Sequence, residues 1–349
     1  MPNGAIASAA STLESRFKAT HFIPMLLFIF LVTSLLLAGA PGRSPSLNAL
    51  RSRVDGGEWS IAALTLGASL LGALVLRPFQ IQIVRLLEGY WGDTRLLRRF
   101  GGYLTSIQRV RYEQLYIRRA SATVKGQEDV NRHIHELEET SAVAKPDAGE
   151  TAQRLRRWLI AGPNTEAVLV DRLRWYPAPE RLLPTRLGNT LRSAEDTAGE
   201  RYGFDTIPVW PRLYPLLKGP LKEQIEHARD GYDTSARLSA GLLLTSFVTA
   251  ILLLPNGDWW RALPLILATL AYVSYRGACT GAKYYGLMLH VAFDLFRFDL
   301  IDKLRLEPVT TPDEELSRNI GLTKFFKESK PQRRFPYQYA SAPAAPSSD

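Results

Sequence analysis

Four basic side chains recur at intervals of seven residues near the C-terminal end of the chain: Arg276, Lys283, His290 and Arg297. On a straight helix of 100° per residue, steps of seven keep them within about 60° of one another. They form one stripe, called the basic stripe below. Such cations attract anions, so the stripe is a candidate anion or lipid-headgroup site. The alternative is that Arg276 snorkels to lipid phosphates and the later residues face the cytosol, with Asp294 pairing with His290 or Arg297.

Two carboxylates form a second candidate site. Asp196 and Glu200 lie four residues apart, a spacing that would let them share a metal ion or act as acid and base on one helix face. A metal site needs further ligands, and no histidine lies at matching spacing. Arg192 is placed to pair with Asp196, and Arg201 with Asp205. A solvated, salt-bridged face is therefore favoured over a metal or acid–base site.

Other motifs that carry chemistry are missing from the sequence. His133 and His135 are two residues apart, so a helix would point them to different faces and not at one metal. We find no GxxxxGK[ST] loop, no G-x-S-x-G elbow and no HExxH pair. Cys279 is the only cysteine, which excludes an internal disulfide and a multi-cysteine metal site. The sequence thus predicts no cofactor, no metal and no catalytic residue.

Four long apolar runs determine the predicted fold class. They cover residues 21–40, 60–76, 238–254 and 263–275, and approach the roughly 20 residues that cross about 30 Å of hydrocarbon. We predict a mainly α membrane protein with four spans in two hairpins, and a cytoplasmic, mostly helical domain between spans two and three. The first run also resembles a signal peptide, but Pro41 directly after Ala38-Gly39-Ala40 favours a retained span.

The distribution of charge indicates the orientation and the partners. Lysines and arginines cluster where the second span ends and the third begins: Arg77, Arg85, Arg95, Arg98, Arg99, Lys218, Lys222, Arg229 and Arg237. The positive-inside rule places this central segment and both termini in the cytoplasm, as in a multi-pass inner (plasma) membrane protein. Trp59, Trp259 and Trp260 fall where an outer aromatic belt would lie. The net charge of +9 is spread along the chain, which favours anionic lipid headgroups over nucleic acid.

These observations predict six successive parts. The sequence begins with a cytoplasmic N-terminal segment at residues 1–20. A first hairpin with its helical extension follows at residues 21–90. A cytoplasmic helical domain and a second hairpin with a long helical extension follow, at 91–237 and 238–306. A short C-terminal helix and a disordered tail complete it, at 307–328 and 329–349.

The local patterns inside the predicted cytoplasmic domain are mainly helical. Apolar residues recur every three or four positions and predict a helix that stops at Gly203: Leu187, Leu191, Ala194, Ala198 and Tyr202. The prolines at 208, 211 and 215 then predict an extended connector, whose Trp210 and Tyr214 pack on the membrane interface or the domain core. Residues 167–176 fit a strand or a helix equally well.

Two further patterns mark helix boundaries. Gly101-Gly102 is expected to interrupt the chain, after which Tyr103, Val110 and Ile117 fall on one helical stripe. The stretch Thr311-Pro312-Asp313-Glu314 is a capping box with proline at the first helical position. It predicts a terminal helix that runs to about Phe326.

Three stretches within residues 184–217, PTRLGNTLRSAED, ERYGFD and VWPRLYPLL, resemble a segment that recurs in uncharacterised bacterial integral membrane proteins. The similarity extends to FDLFRFDL and TTPDEE further along the chain. The resemblance implies a bacterial membrane protein and implies no activity and no catalytic residue. In architecture alone, four spans with cytoplasmic helical extensions are also similar to bestrophin channels, whose motifs this sequence lacks.

The sequence supports three hypotheses for function. Gly277 and Gly281 form a GxxxG pair opposite the basic stripe, where another helix can approach closely, as in a homo-oligomer. The first hypothesis is an oligomeric, pore-like or anion-conducting assembly that uses the basic stripe. The second is a non-catalytic membrane scaffold or sensor whose cytoplasmic domain binds a protein partner or small ligand. The third is a membrane enzyme that uses Asp196 and Glu200.

Overall fold

A computed structural model describes most of the chain outside the N-terminus, the second apolar run and the tail. Its residues are 23–55, 63, 67, 68, 71, 72, 80–91, 94–122, 132, 134–136, 138, 139, 153, 166–255, 258–328 and 335. Several predictions fall outside these described residues: the N-terminal segment 1–20, most of the span 60–76, Trp59, His133, and the tail 329–349 apart from Phe335.

The described residues are mainly helical. In chain order the α-helices are α1 (Ile23–Leu37), α2 (Leu47–Asp55), α3 (Gln80–Glu88), α4 (Arg95–Ala122), α5 (Glu166–Arg174), α6 (Arg186–Thr197), α7 (Thr206–Leu213), α8 (Pro220–Leu253), α9 (Ala262–Lys303) and α10 (Pro312–Lys327). Short 3₁₀ turns lie at Pro179–Arg181, Glu200–Tyr202, Tyr214–Leu216 and Asp258–Arg261. The chain divides into two compact units: unit 1 takes Met1–Trp91 and Glu226–Ala282, and unit 2 takes Gly92–Ile225 and Lys283–Asp349.

Two described helical segments are long and apolar enough to cross a membrane: Pro220–Leu253 and Asp258–Lys303. In unit 1, α1 packs its Leu27 and Leu31 on a core that includes Leu242, Leu267 and Ala271. With 15 residues, α1 is shorter than the roughly 20 residues that a full crossing needs.

Serine hydroxyls join α8 and α9 within unit 1. Each donates to a backbone carbonyl of the facing helix at 2.8 to 2.9 Å: Ser239 to Ala271, Ser246 to Pro264, and Ser274 to Ser235. In an apolar surrounding, a hydroxyl is stable only when it has such an acceptor, so these bonds hold the two helices in one register.

Unit 2 is built around the C-terminal half of α9. Phe293 is fully buried there, and Val209 and Leu213 of α7 and Leu322 of α10 belong to the same core. Residues from the middle and from the end of the sequence thus form one core. Trp210 packs against it, as one of the two predicted alternatives requires.

The extended connector predicted for residues 205–217 is wrong. Thr206–Leu213 is an α-helix, and Tyr214–Leu216 is a 3₁₀ turn. Asp205 caps the helix by accepting from the Ile207 amide at 3.0 Å. Pro208 lies in the first turn, where an amide has no intrahelical acceptor to lose, so only Pro211 removes a hydrogen bond. The positions of the prolines within α7, and not their number, therefore determine whether this segment can be helical.

Two other boundaries differ from prediction. Helix α4 runs through Gly101-Gly102 without a break. Each glycine destabilises a helix by roughly 1 kcal/mol relative to alanine, and the other residues of α4 and its packing outweigh this loss. The ambiguous segment 167–176 is helical to Arg174. Helix α8 begins at Pro220, as predicted.

Helix α10 begins with the predicted capping box. Thr311 Oγ1 accepts from the Glu314 amide at 3.3 Å, and Glu314 Oε2 accepts from the Thr310 amide at 3.0 Å. The helix ends at Lys327, one residue beyond the predicted Phe326. Its docking was not predicted: Asn319, fully buried, donates to the Tyr202 carbonyl at 2.8 Å.

Acid is expected to weaken the start of α10. The bond from the Thr310 amide, with other bonds from Thr310 and Thr311, lowers the pKa of Glu314 below its ordinary value. The folded-state pKa then lies below the unfolded one, so the stabilisation is complete above the unfolded pKa of about 4.3 and is lost as pH falls through the folded pKa. Thermal unfolding of wild type and Glu314→Gln from pH 7 to 3 should show the wild-type advantage shrinking only in that acidic range. A constant difference would contradict this origin.

Candidate functional site

The basic stripe lies along α9, and three of its four members belong to unit 2. The Lys283 ammonium Nζ is 4.0 Å from Asp171 Oδ2 of α5 and 5.4 Å from the centre of the Trp175 ring. A carboxylate and an aromatic face both attract a cation. Lys283 is therefore held against the segment at the end of α5.

His290 contacts α6. Its Nε2 lies 3.3 Å from Thr197 Oγ1, and the Thr197 hydroxyl lies 2.7 Å from the Ser193 carbonyl oxygen. A hydroxyl has one proton, and here it is donated to that carbonyl. Thr197 must then accept from an Nε2–H of His290, which leaves Nδ1 as the basic nitrogen of the neutral ring.

Arg297 has the most partners in the stripe. Its Nε is 3.0 Å from Glu315 Oε1 of α10, and both side chains are more than four-fifths buried. A second nitrogen donates to the Asp294 carbonyl at 2.6 Å. The guanidinium also lies 4.1 Å from the ring centres of Tyr202 and Phe298. Such a planar, charged group combines ion pairing with stacking, which lysine cannot reproduce.

The pairing predicted for Asp294 is wrong. Its carboxylate accepts from the Tyr202 hydroxyl at 2.6 Å, instead of bonding to His290 or Arg297. This hydrogen bond to Asp294 raises the pKa of Tyr202 above its ordinary value. Tyr202 therefore stays a neutral donor at physiological pH. The 3₁₀ turn after α6 brings Tyr202 to this position, and helical spacing along α9 alone does not show it.

Arg276, the first member of the stripe, belongs to unit 1 and has an exposed side chain. On the same helix, a Cβ added to Gly281 would lie 3.1 Å from Tyr232 Cβ and 3.3 Å from its Cα. The same addition at Gly277 would meet only Ser235 Oγ, at 3.8 Å. Gly281 is thus the point of close approach to α8, and Gly277 has room beside it.

The carboxylate pair Asp196 and Glu200 does not share a helix face. Helix α6 ends at Thr197, and Glu200 starts the following 3₁₀ turn. The local pairings predicted for this region are also wrong. Asp196 bonds to Arg181 at 3.0 Å, and Asp205 pairs with Lys327.

The partners of Asp196 and Asp205 thus come from other segments of the sequence. Helical spacing could not identify them for this reason. Burial raises the pKa of Asp196, but Arg181 occupies its carboxylate.

The described parts of the chain contain no group of three or more histidine, cysteine or acidic residues that could hold a metal ion. The three stripe residues of unit 2 instead contact side chains of neighbouring segments. This arrangement is suited to holding α5, α6 and α10 against α9. The partners Asp171, Thr197 and Glu315 were missed, because each lies in another segment and has no spacing relation to the stripe.

No family model, curated protein or solved structure matches this chain. The resemblance to uncharacterised bacterial membrane proteins therefore stays a prediction. Its stretches nevertheless converge in space: ERYGFD carries Tyr202, FDLFRFDL carries Asp294 and Arg297, and TTPDEE carries Glu315. The two bonds between these stretches are Tyr202 to Asp294 and Arg297 to Glu315.

Glu315→Gln should lower the free energy of unfolding by about 1 kcal/mol, since the amide oxygen still accepts but the charge assistance is lost. Arg297→Gln should cost more, because it also removes the contacts with two aromatic rings. In a double-mutant cycle read by denaturant unfolding, the two changes should be non-additive by at least about 0.5 kcal/mol. Strict additivity would show that the pair does not contribute to stability.

Proposed function

We propose that this chain is a multi-pass protein of the bacterial inner membrane, with cytoplasmic termini, that assembles as a homo-oligomer. It acts as a non-catalytic, anchored scaffold or sensor, and unit 2 binds a protein or small ligand in the cytoplasm. One observation carries this proposal: Lys283, His290 and Arg297 each contact a side chain from another segment of unit 2. Side chains engaged in this way, the Lys283 and Arg297 cations and the His290 ring, stabilise a folded unit and are poorly available to passing anions.

The continuity of α9 adds support. Its 42 residues carry apolar, membrane-type sequence at one end and the central side chains of the unit 2 core at the other. A helix of this length spans about 63 Å without a break. A ligand that shifts the α9 segment of unit 2 would thus act on the helix that continues into the apolar span.

An anion-conducting oligomer is the second candidate. It is favoured by Arg276, which is exposed beside the exposed Tyr272 four residues earlier on α9. An arginine close to the end of an apolar span is costly unless it meets water, lipid phosphate or an anion. In an oligomer, one such arginine per copy would form a ring.

Chloride flux separates the two candidates. Full-length protein is reconstituted in liposomes that contain a chloride-sensitive dye, and the influx is compared with protein-free liposomes. The scaffold proposal expects no added flux. Flux that falls with Arg276→Gln, but not with Arg261→Gln at the other end of the same helical segment, would overturn it and establish the conducting assembly.

Site-specific photocrosslinking in cells tests the binding role directly. A photoreactive residue is placed at exposed positions spread over unit 2, namely Tyr116, Val168 and Ile207, with Leu265 of unit 1 as the control. At least one unit 2 position should give a discrete adduct with another protein that Leu265 does not give. Only adducts of the mass of a dimer, or none, would argue against a separate protein partner.

A further inference from the structure

Helix α4 carries an exposed apolar stripe that the described residues of unit 2 do not cover. Leu96, Tyr103, Val110 and Ile117 are 80%, 64%, 51% and 46% exposed. They are spaced by seven residues, so the stripe drifts by only about 20° per step and stays within a 60° sector. Gln108 is buried on the roughly opposite side of the helix, so α4 packs on unit 2 through one face and presents the other.

The charge of α4 is almost entirely positive. Its 28 residues include seven arginines and one acidic residue, Glu113. Arg99 and Arg109 lie towards one edge of the apolar stripe, where Glu113 also falls, and Arg111 lies towards the other edge. All three arginines are exposed, and Arg109 donates to the Pro179 carbonyl at 3.5 Å. An apolar strip with guanidinium groups along both edges is the pattern of helices that lie in the headgroup region of a bilayer.

Charge identifies the occupant of this surface. A second copy of α4 would set arginines against arginines on both edges of the contact, which is destabilising. A polyanion such as nucleic acid would satisfy the arginines and leave the apolar stripe in water. An anionic bilayer satisfies both, since its phosphates pair with the arginines and its acyl boundary receives Leu96, Tyr103 and Val110.

We propose that α4 is an interfacial helix that docks unit 2 on an anionic lipid surface. This role is additional to the proposed scaffold function and does not depend on it. Docking would be reversible and sensitive to ionic strength, because guanidinium–phosphate attraction at a surface is screened by salt. It would require anionic lipid, whereas insertion of the apolar spans would not.

The test uses full-length protein with the buried Cys279 changed to alanine. A bimane fluorophore is attached at Tyr103→Cys or Val110→Cys, with Arg119→Cys, exposed on the far side of α4, as the matched control. Proteins are placed in nanodiscs of phosphatidylcholine alone or mixed with phosphatidylglycerol. The Tyr103→Cys and Val110→Cys probes should be quenched by nitroxide lipid in the mixed discs, and the Arg119→Cys probe by aqueous iodide.

Neutralising the arginines beside the apolar stripe tests the electrostatic part of the docking. Each arginine neutralised among Arg99, Arg109 and Arg111 should lower the docking equilibrium constant by about fivefold. Lipid quenching at Tyr103→Cys equal to that at Arg119→Cys would overturn the proposal. Shielding from both quenchers in detergent would also overturn it, since protein would then cover the stripe. The proposal would also be overturned if added single-stranded DNA protected the stripe probes from iodide and nitroxide lipid did not quench them.

Discussion

Phe293→Ala is expected to lower the free energy of unfolding by about 3–5 kcal/mol, because it removes the largest fully buried side chain and leaves a cavity. The Phe293 ring lies 6.1 Å from that of Phe204, centre to centre, in the core of unit 2. Loss of the ring also weakens the contact between α9 and the turn after α6. Denaturant unfolding of the full-length protein in detergent, followed by near-ultraviolet circular dichroism, measures the change.

The matched control is Leu295→Ala, two residues along the same helix. Leu295 is exposed, so its truncation should change stability by no more than about 0.5 kcal/mol. Similar losses for both variants would mean that unit 2 has no specific core at Phe293. A milder Phe293→Leu change should fall between the two, since it preserves part of the buried volume.

Gly203→Ala is the second change with a large expected effect, about 2–5 kcal/mol. Gly203 has φ +77°, a left-handed conformation that costs other residues about 1–2 kcal/mol. A Cβ here would also lie 2.7 Å from the Leu316 carbonyl oxygen of α10. Backbone cannot yield as a flexible side chain can, so α10 must move, at a further cost of about 1–3 kcal/mol.

Gly219 separates these two causes. It has φ +63°, and a Cβ added there would meet nothing within 4 Å. Gly219→Ala should therefore show the conformational strain alone, and the difference between the two variants gives the cost of displacing α10. Hydrogen exchange should locate this difference in residues 312–327, since the Asn319 bond to the Tyr202 carbonyl would be strained. Equal losses for the two glycines would show that α10 does not pack as described.

Local patterns were sufficient to predict α10 and the presence of α6, although α6 ends at Thr197 and not at the predicted Gly203. Thr185 caps α6 and Thr311 caps α10, each by accepting from an amide three residues later. Such caps join residues that are close in the sequence, so a sequence pattern is enough to predict them. The prediction of an extended connector at 205–217 was wrong for a related reason, since Pro208 falls in the first turn after the Asp205 cap and is compatible with a helix there.

Of the candidate site, the sequence could predict only that its basic residues lie on one side of α9. The interval of seven places Lys283, His290 and Arg297 on one side of the helix, and this depends on helical geometry alone. Their partners come from α5, α6 and α10, far away in the sequence, so no periodicity points to them. The serine bonds between α8 and α9 were missed similarly, because a serine in an apolar run does not reveal which carbonyl it will meet.

The composition of the unit 2 core sets an order of events during synthesis. Leu213 and the residues before it leave the ribosome more than 100 residues ahead of Leu322, which completes the same core. At 5–20 residues per second, the interval is roughly 5–20 s. Throughout that time the middle of the chain has its apolar faces uncovered while the apolar segments of α8 and α9 are being made. A fragment that stops before α9 would lack Phe293 permanently, so we expect that the central segment does not fold alone.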